Sequence, residues 1–92
     1  MNKRQIKKYN SKLSKHFPPS VFILDYLGEI EMTPLELAKI SDIEPDTLKK
    51  ILDNEIDLDR VNAQKISNAI GGQVQTWLNL QNSYNVYKER LK

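Results

Sequence analysis

The sequence predicts an all-α fold, a compact domain of five helices, and three observations support this prediction. Apolar residues recur at intervals of three and four along most of the chain after residue 19. Prolines stand where helices should begin, and Asp, Asn or Gly where they should end. Alternating strand-like patterns are nearly absent. The 92 residues suffice for one domain with a modest core.

Charge is segregated along the chain, although the net charge is only +2. Residues 1–16 carry six basic residues and no acid, residues 17–59 carry three lysines and eleven acids, and residues 60–92 carry five basic residues and one acid. Such asymmetry is typical of proteins with oppositely charged partners, and a mixed solvated surface is the alternative.

Residues 1–15 form a polar segment, called the basic arm below, and residues 16–92 form the domain. In the arm, Ile6, Tyr9 and Leu13 recur at helical spacing and would give a helix one thin apolar stripe. Three apolar residues cannot stabilise an isolated helix, so we expect the arm to order only on docking. A solvated tail is one interpretation of the arm, and a clamp on DNA or a protein partner is the other.

Several function classes are disfavoured by composition. The chain has no cysteine, no apolar run of the ~18 residues that a membrane span needs, and no apolar segment after its basic start that would make a signal peptide. We therefore expect a cytoplasmic protein without a membrane partner, metal or cofactor. The single histidine, His16, precedes two prolines and is interpreted as a helix-entry contact. Because no nucleophile–base set, carboxylate pair or phosphate loop is recognisable, an enzyme is not expected.

The first helix is predicted at about 19–31. Pro19 suits the first helical position, where its missing N–H costs nothing. The apolar positions at helical spacing are Val21, Leu24, Leu27 and Ile30, with Ile23 beside them.

The second and third helices are predicted at about 33–40 and 45–52. Thr33 as N-cap and Glu36 three residues later form a capping box around Pro34. Asp42 can adopt the positive φ that the turn after the second helix requires. Pro45 opens the third helix, and Asn54 can take a left-handed conformation after it.

The fourth helix follows Asp59 as N-cap, and Gly71-Gly72 ends it. Its predicted inner face is Ile66, Ala69 and Ile70. The fifth helix begins near Val74 and has two apolar stripes, of which one suffices for a monomer's core. We expect the second stripe to mediate a homodimer. The residues assigned to dimerisation are Trp77, Leu80, Tyr84 and Tyr87, although Trp77 is also interpreted as a core anchor.

The second and third helices are joined by a short turn, and the small Ala38 lies where the third helix must cross closely. This pattern predicts a helix-turn-helix, which presents the N-terminal part of its second helix to DNA bases. The alternative is a small helical bundle with an accidental turn of this kind.

Four motifs between His16 and Tyr87 resemble the HigA branch of the Xre-type helix-turn-helix family. His16-Phe17-Pro18-Pro19 is similar to that family's His-Pro opening, and residues 33–38 to its Thr-Gln-x-x-Leu-Ala. The entry to the fourth helix, residues 58–63, is also similar. The most specific match is Trp77-Leu78-Asn79-Leu80-Gln81, followed by Tyr84-Asn85.

The resemblance implies a lambda-repressor-like five-helix antitoxin of a type II toxin–antitoxin module. Such a protein would form a homodimer, neutralise a HigB-like (RelE-like) ribonuclease toxin, and repress its own operon by binding double-stranded operator DNA. One alternative is a repressor of a mobile element without a toxin partner. Another is a toxin-binding module that has lost DNA binding.

Candidate contacts follow from this interpretation. The toxin-binding candidates are Ile6, Tyr9 and Leu13 of the arm. The DNA-binding candidates are Thr33, Glu44, Asp46, Thr47, Lys49 and Lys50. Two departures from the family weaken the DNA prediction: Pro34 replaces a glutamine that commonly contacts phosphate, and acids cluster on and after the third helix. Since phosphate neutralisation supplies most non-specific affinity, the basic arm would have to compensate.

Overall fold

The computed structural model describes residues 17–91, and in that range it contains five α-helices and no β-strand. The predicted all-α fold class is confirmed. The basic arm, His16 and the toxin-binding candidates of the arm lie outside the described residues. The helices are α1 (Pro19–Glu29), α2 (Pro34–Ser41), α3 (Pro45–Leu52), α4 (Arg60–Ile70) and α5 (Val74–Arg90). None of them is long and apolar enough to cross a membrane.

One core lies between the helices. α2 packs on α3 and α4, α1 packs on α3 and α5, and α5 closes over α4. The two loops beside α3 each contribute one buried residue, Ile43 and Leu58. Burial of this apolar surface is the main stabilising contribution. The buried apolar residues are Ile23, Leu27, Leu37, Ala38, Ile43, Leu48, Ile51, Leu52, Leu58, Ala63 and Ile66.

Helix α1 lies where it was predicted but ends slightly earlier, and only some of its regularly spaced apolar residues are buried. The helix ends at Glu29, two residues early, because Glu31 adopts a left-handed conformation with φ 56°. Ile23 and Leu27 are buried, whereas Leu24 and Ile30 are 45% and 40% exposed. The helix packs on α3 and α5 through a face centred on Ile23, and this rotates Leu24 outward.

The predicted helix ends are otherwise confirmed. Asp42 and Asn54 have φ of 60° and 61°, as their positions after α2 and α3 suggested. The side chain of Asp59 accepts a hydrogen bond of 2.8 Å from the Asn62 N–H and so caps α4. Gly71 and Gly72 both have positive φ in the turn before α5.

Helix α5 is only half covered by the rest of the domain. None of its residues is fully buried, although Val74, Trp77 and Leu78 pack partly against the core. Trp77 Nε1 donates a hydrogen bond of 3.3 Å to the Gly71 carbonyl oxygen, which ties α5 to the end of α4. This contact agrees with the interpretation of Trp77 as a core anchor.

Candidate nucleic-acid interface

The turn between α2 and α3 fixes the angle at which the two helices meet. After Ser41, the left-handed Asp42 reverses the chain, and the Ile43 N–H donates to the Ala38 carbonyl oxygen at 3.2 Å. The Ile43 side chain is 3% exposed and anchors the turn in the core. Ala38 is also buried, so its small side chain permits a close approach of the helices. This is the arrangement of a helix-turn-helix, with α3 in the position of the recognition helix.

The N-terminus of α2 is held by the predicted capping box. Thr33 Oγ1 accepts from the Glu36 N–H at 3.1 Å, and Glu36 Oε1 accepts from the Thr33 N–H at 2.9 Å. The hydrogen bond from the Thr33 backbone is the main cause of a lowered pKa at Glu36. Thr33 therefore serves as the structural cap that the sequence predicted, at the exposed start of α2.

Helix α3 divides into a buried side and an exposed side. Leu48, Ile51 and Leu52 face the core. The other side brings together five of the six DNA-binding candidates, of which Thr47 is half-buried and the rest are exposed: Glu44, Asp46, Thr47, Lys49 and Lys50. Glu44 stands at the N-cap without a capping side-chain hydrogen bond, as expected of a poor N-cap residue.

Both lysines of α3 are paired with acids one helical turn away. Lys49 Nζ lies 2.7 Å from Asp53 Oδ2, and Lys50 Nζ lies 3.9 Å from Asp46 Oδ2. The hydrogen bond to Asp53 is the main cause of the raised pKa of Lys49. Because exposed ion pairs of this kind are weak, a phosphate or a base could replace the carboxylate. Even so, the free face of α3 offers little net positive charge.

An apolar groove adjoins this face, and sequence reasoning did not find it. It has a volume of about 280 Å³ and an almost entirely apolar lining. Leu35 at the start of α2 is 68% exposed there, and Leu24 projects from α1 on the opposite side. The only sequence signal was the apolar Leu35 beside Pro34, directly after the N-cap Thr33. The groove residues are Leu24, Pro34, Leu35, Pro45, Leu48, Lys49, Leu52 and Asp53.

Gln81 and Asn85 of α5 have a structural role that the sequence did not predict. Gln81 Oε1 accepts from the Leu58 N–H at 2.9 Å, and Gln81 Nε2 donates to Asn85 Oδ1 at 3.1 Å. Asn85 Nδ2 in turn donates to Asp57 Oδ2 at 2.8 Å. These hydrogen bonds hold the loop after α3 against α5. They thereby help to fix the position of the C-terminal end of α3.

The dimerisation candidates occupy α5. Leu80, Tyr84 and Tyr87 are half-buried, as is Trp77. The Lys88 ammonium lies 4.9 Å from the centre of the Tyr84 ring, which is a cation–π distance. Val86 on the same helix and Leu91 directly after it are 47% and 68% exposed.

Comparison with known proteins shows which family the chain belongs to. No family model matches the chain. It is, however, 33% identical over 75 residues to the uncharacterized HTH-type transcriptional regulator YddM of Escherichia coli (strain K12), a similarity that covers 82% of this chain and 80% of that protein. The chain belongs to the HTH-type transcriptional regulators. Membership in a family named for this motif favours a helix-turn-helix over an accidental turn in a bundle, and the turn geometry assigns it to α2–α3. The family is one of regulators and not of enzymes.

Proposed function

We propose that this HTH-type regulator binds double-stranded operator DNA and places α3 in the major groove. The supporting observation is that one side of α3 is exposed while the other is buried in the core. The turn at Asp42 sets the angle between α3 and α2. Lys49 and Lys50 can donate to guanine O6 and N7, and the acids Glu44 and Asp46 can accept from cytosine N4. Thr47 and the exposed start of α2 at Thr33 would flank these contacts.

A mixed-charge recognition helix requires cations elsewhere, because phosphate contacts supply most of the non-specific affinity. Lys49 and Lys50 are already paired with carboxylates in the free protein. The basic arm offers six cations in residues 1–16. DNA binding by this protein therefore depends on the arm as a phosphate clamp.

The test is binding to the DNA upstream of the protein's own gene, measured by footprinting and fluorescence anisotropy with the variants Lys49→Ala and Lys50→Ala. Removing a side chain that reads a base costs about 1–3 kcal/mol, so each variant should weaken binding to the protected site several-fold or more. Arg90→Ala, at the exposed end of α5, is the control and should bind as the wild type does. Equal affinity of the α3 variants and the control would contradict the proposed recognition helix.

A homodimer follows from the half-covered α5 together with its half-buried Leu80, Tyr84 and Tyr87. A second copy packed there would complete the burial of this stripe. Two copies related by a twofold axis would present two α3 helices to half-sites about 34 Å apart, one turn of duplex. The footprint should then be a pseudo-palindrome with that spacing.

A more specific role, as antitoxin of a type II toxin–antitoxin module, is favoured by the acidity of the described surface. Residues 17–59 carry eleven acids, and several are exposed beside the recognition helix, among them Glu44, Asp46 and Asp53. A HigB-like ribonuclease toxin acts on RNA, so its active face should be basic and complementary to this surface. The similarity of the Trp77–Gln81 motif to HigA proteins points the same way. The arm's Ile6, Tyr9 and Leu13 would supply apolar anchors.

Co-expression with the product of the adjacent gene tests the antitoxin role. A small basic protein should co-purify with the wild type and inhibit growth when expressed alone. Tyr9→Ala should accelerate its dissociation, whereas charge reversal at Glu29 and Glu31 should slow its association. A neighbouring gene product that neither co-purifies nor inhibits growth would favour a repressor without a toxin partner. Toxin binding without an operator footprint would favour a binding module that has lost DNA recognition.

A further inference from the structure

We propose that in the free protein the basic arm docks onto the apolar groove of its own chain, with Ile6, Tyr9 and Leu13 facing the groove. This docking requires neither DNA nor a toxin, so it can be tested separately from the proposed function. Three observations carry it: an exposed apolar groove, the excess of acids in the segment that builds that groove, and the direct connection of the arm to α1.

The groove exposes more apolar surface than a DNA-facing surface requires. Leu35 and Leu24 are 68% and 45% exposed, and they line the groove together with the buried Leu48 and Leu52. Exposure to water at these positions is unfavourable, and an apolar segment placed there would remove it. The arm carries its apolar residues at positions 6, 9 and 13, which share one face of a helix. A stripe of three apolar residues is well matched in size to a groove of about 280 Å³.

Charge favours the arm as occupant. Asp53 lies at the edge of the groove, and the segment that builds the groove, residues 17–59, has eleven acids against three lysines. The arm has six basic residues and no acid within residues 1–16. With its apolar side in the groove, the arm would bring its cations close to a segment with an excess of negative charge, which attracts them over a distance of about 10 Å at ordinary ionic strength.

The connection to α1 brings the arm within reach of the groove in the same chain. Leu24 is five residues beyond Pro19, a rise of about 7.5 Å along α1. From Leu13 to Pro19 the chain can span up to about 20 Å. The start of α1 is itself held beside the end of α3, because Ser20 Oγ donates to Asn54 Oδ1 at 2.9 Å. Such a short connection gives an effective concentration of the order of millimolar, so weak docking suffices and a second copy is disfavoured as occupant.

Docking would place arm cations alongside the recognition helix. Lys49 forms part of the groove wall and also part of the exposed face of α3. An arm that lies in the groove therefore positions its cations next to a face whose own lysines are paired with acids.

Paramagnetic line broadening in the full-length protein tests this directly. The chain contains no cysteine, so Ser11→Cys gives a single attachment point for a nitroxide label in the arm. We expect loss of most of the methyl signal intensity at Leu24, Leu35 and Leu52 and much less at Ile66 in the core of α4. A label at Ser83→Cys, on the exposed side of α5, is the control for non-specific broadening.

Two substitutions of exposed apolar residues on α2 test whether the broadening depends on the groove. Leu35→Ser, in the groove, should restore the intensities at Leu24 and Leu52, while Ile40→Ser should not. Both residues are on α2 and both are largely exposed, at 68% and 54%, so neither substitution should prevent folding. Groove broadening that persists unchanged in Leu35→Ser would overturn the proposal, as would its absence in the wild type. Broadening that appears only when labelled and isotope-enriched molecules are mixed would assign the groove to a second copy and also overturn it.

Discussion

The ammonium of Lys49 lies 2.7 Å from the carboxylate of Asp53, so an acid at the end of α3 competes for a cation that we propose contacts DNA. Asp53 directly follows α3, where a negative charge is unfavourable to the helix dipole and a lysine is favourable. The ion pair therefore adds little to the stability of α3 beyond what Lys49 alone contributes. Its main effect falls on the surface potential of the face that would meet DNA.

Removal of this acid should strengthen operator binding. In Asp53→Asn, Lys49 loses its partner and the phosphates lose a repulsive neighbour, so affinity should rise several-fold. If the freed lysine neutralises one phosphate, the slope of log K against log salt should steepen by about 0.9. Glu89→Gln on α5 removes the same charge far from α3 and is the control. Weaker binding by Asp53→Asn would mean that Asp53 itself contacts a base.

The ionised Glu36 carboxylate should contribute to stability at neutral pH and lose that contribution in acid. Its pKa is lowered by the hydrogen bond from the Thr33 N–H. A lowered folded-state pKa stabilises the protein above the usual value of 4.5 and loses that effect as pH falls through the folded-state value. Glu36→Gln keeps an acceptor oxygen but does not titrate. Urea unfolding should show Glu36→Gln less stable than the wild type near neutral pH, with the difference vanishing in acid. A difference that grows in acid would contradict this sign.

Two glycine-to-alanine substitutions should have opposite effects on the free energy of unfolding. At Gly72, φ is +83° and a Cβ would lie 2.9 Å from Trp77 Nε1, so Gly72→Ala should destabilise by about 1–3 kcal/mol. At Gly28, in α1, a Cβ would meet nothing within 4 Å, and Gly28→Ala should stabilise by about 0.5 kcal/mol. Denaturant unfolding measures both. Equal effects at the two positions would mean that Gly72 has neither the left-handed conformation nor the close contact with Trp77 described above.

The proposed dimer should depend on the tyrosines of α5. Replacing Tyr84 and Tyr87 by Ser should leave the helical circular dichroism unchanged but shift sedimentation toward the monomer. Val86→Ser, at an exposed position between them, is the matched control and should sediment as the wild type does. A wild-type protein that is already monomeric at tens of micromolar would rule out the dimer.

Local chemistry made most of the fold predictable from sequence. The capping box at Thr33 and Glu36, the left-handed Asp42 and the paired glycines each act within a few residues, and the structure contains all of them. The rotation of α1 was not predictable in this way. Leu24 and Ile23 are equally apolar neighbours, and only packing against α3 and α5 decides which of them is buried.

The exposed side of α3 was predictable from the sequence, but its electrostatic surface was not. The sequence placed Lys49 and Lys50 on the exposed side of α3, where the structure has them. Their ion pairs with Asp53 and Asp46 also depend on side-chain rotamers. The four-residue spacing allows those rotamers but does not require them. The apolar groove needed three helices to be assembled, since Leu24, Leu35 and Leu52 are far apart in sequence. The role of Gln81 likewise depends on a hydrogen bond across 23 residues.

The salt dependence of operator binding tests most directly whether this protein is a DNA-binding regulator that relies on its basic arm. Fluorescence anisotropy with the footprinted DNA should give a strongly negative slope of log K against log salt for the wild type. Replacing Lys7, Lys8 and Lys12 of the arm by Gln should make that slope shallower by about 2.7, at about 0.9 for each phosphate that is no longer neutralised, and lower the affinity. An unchanged slope would remove the arm from the interface, and a wild type without a salt-dependent preference for its own upstream DNA would contradict the proposed regulator.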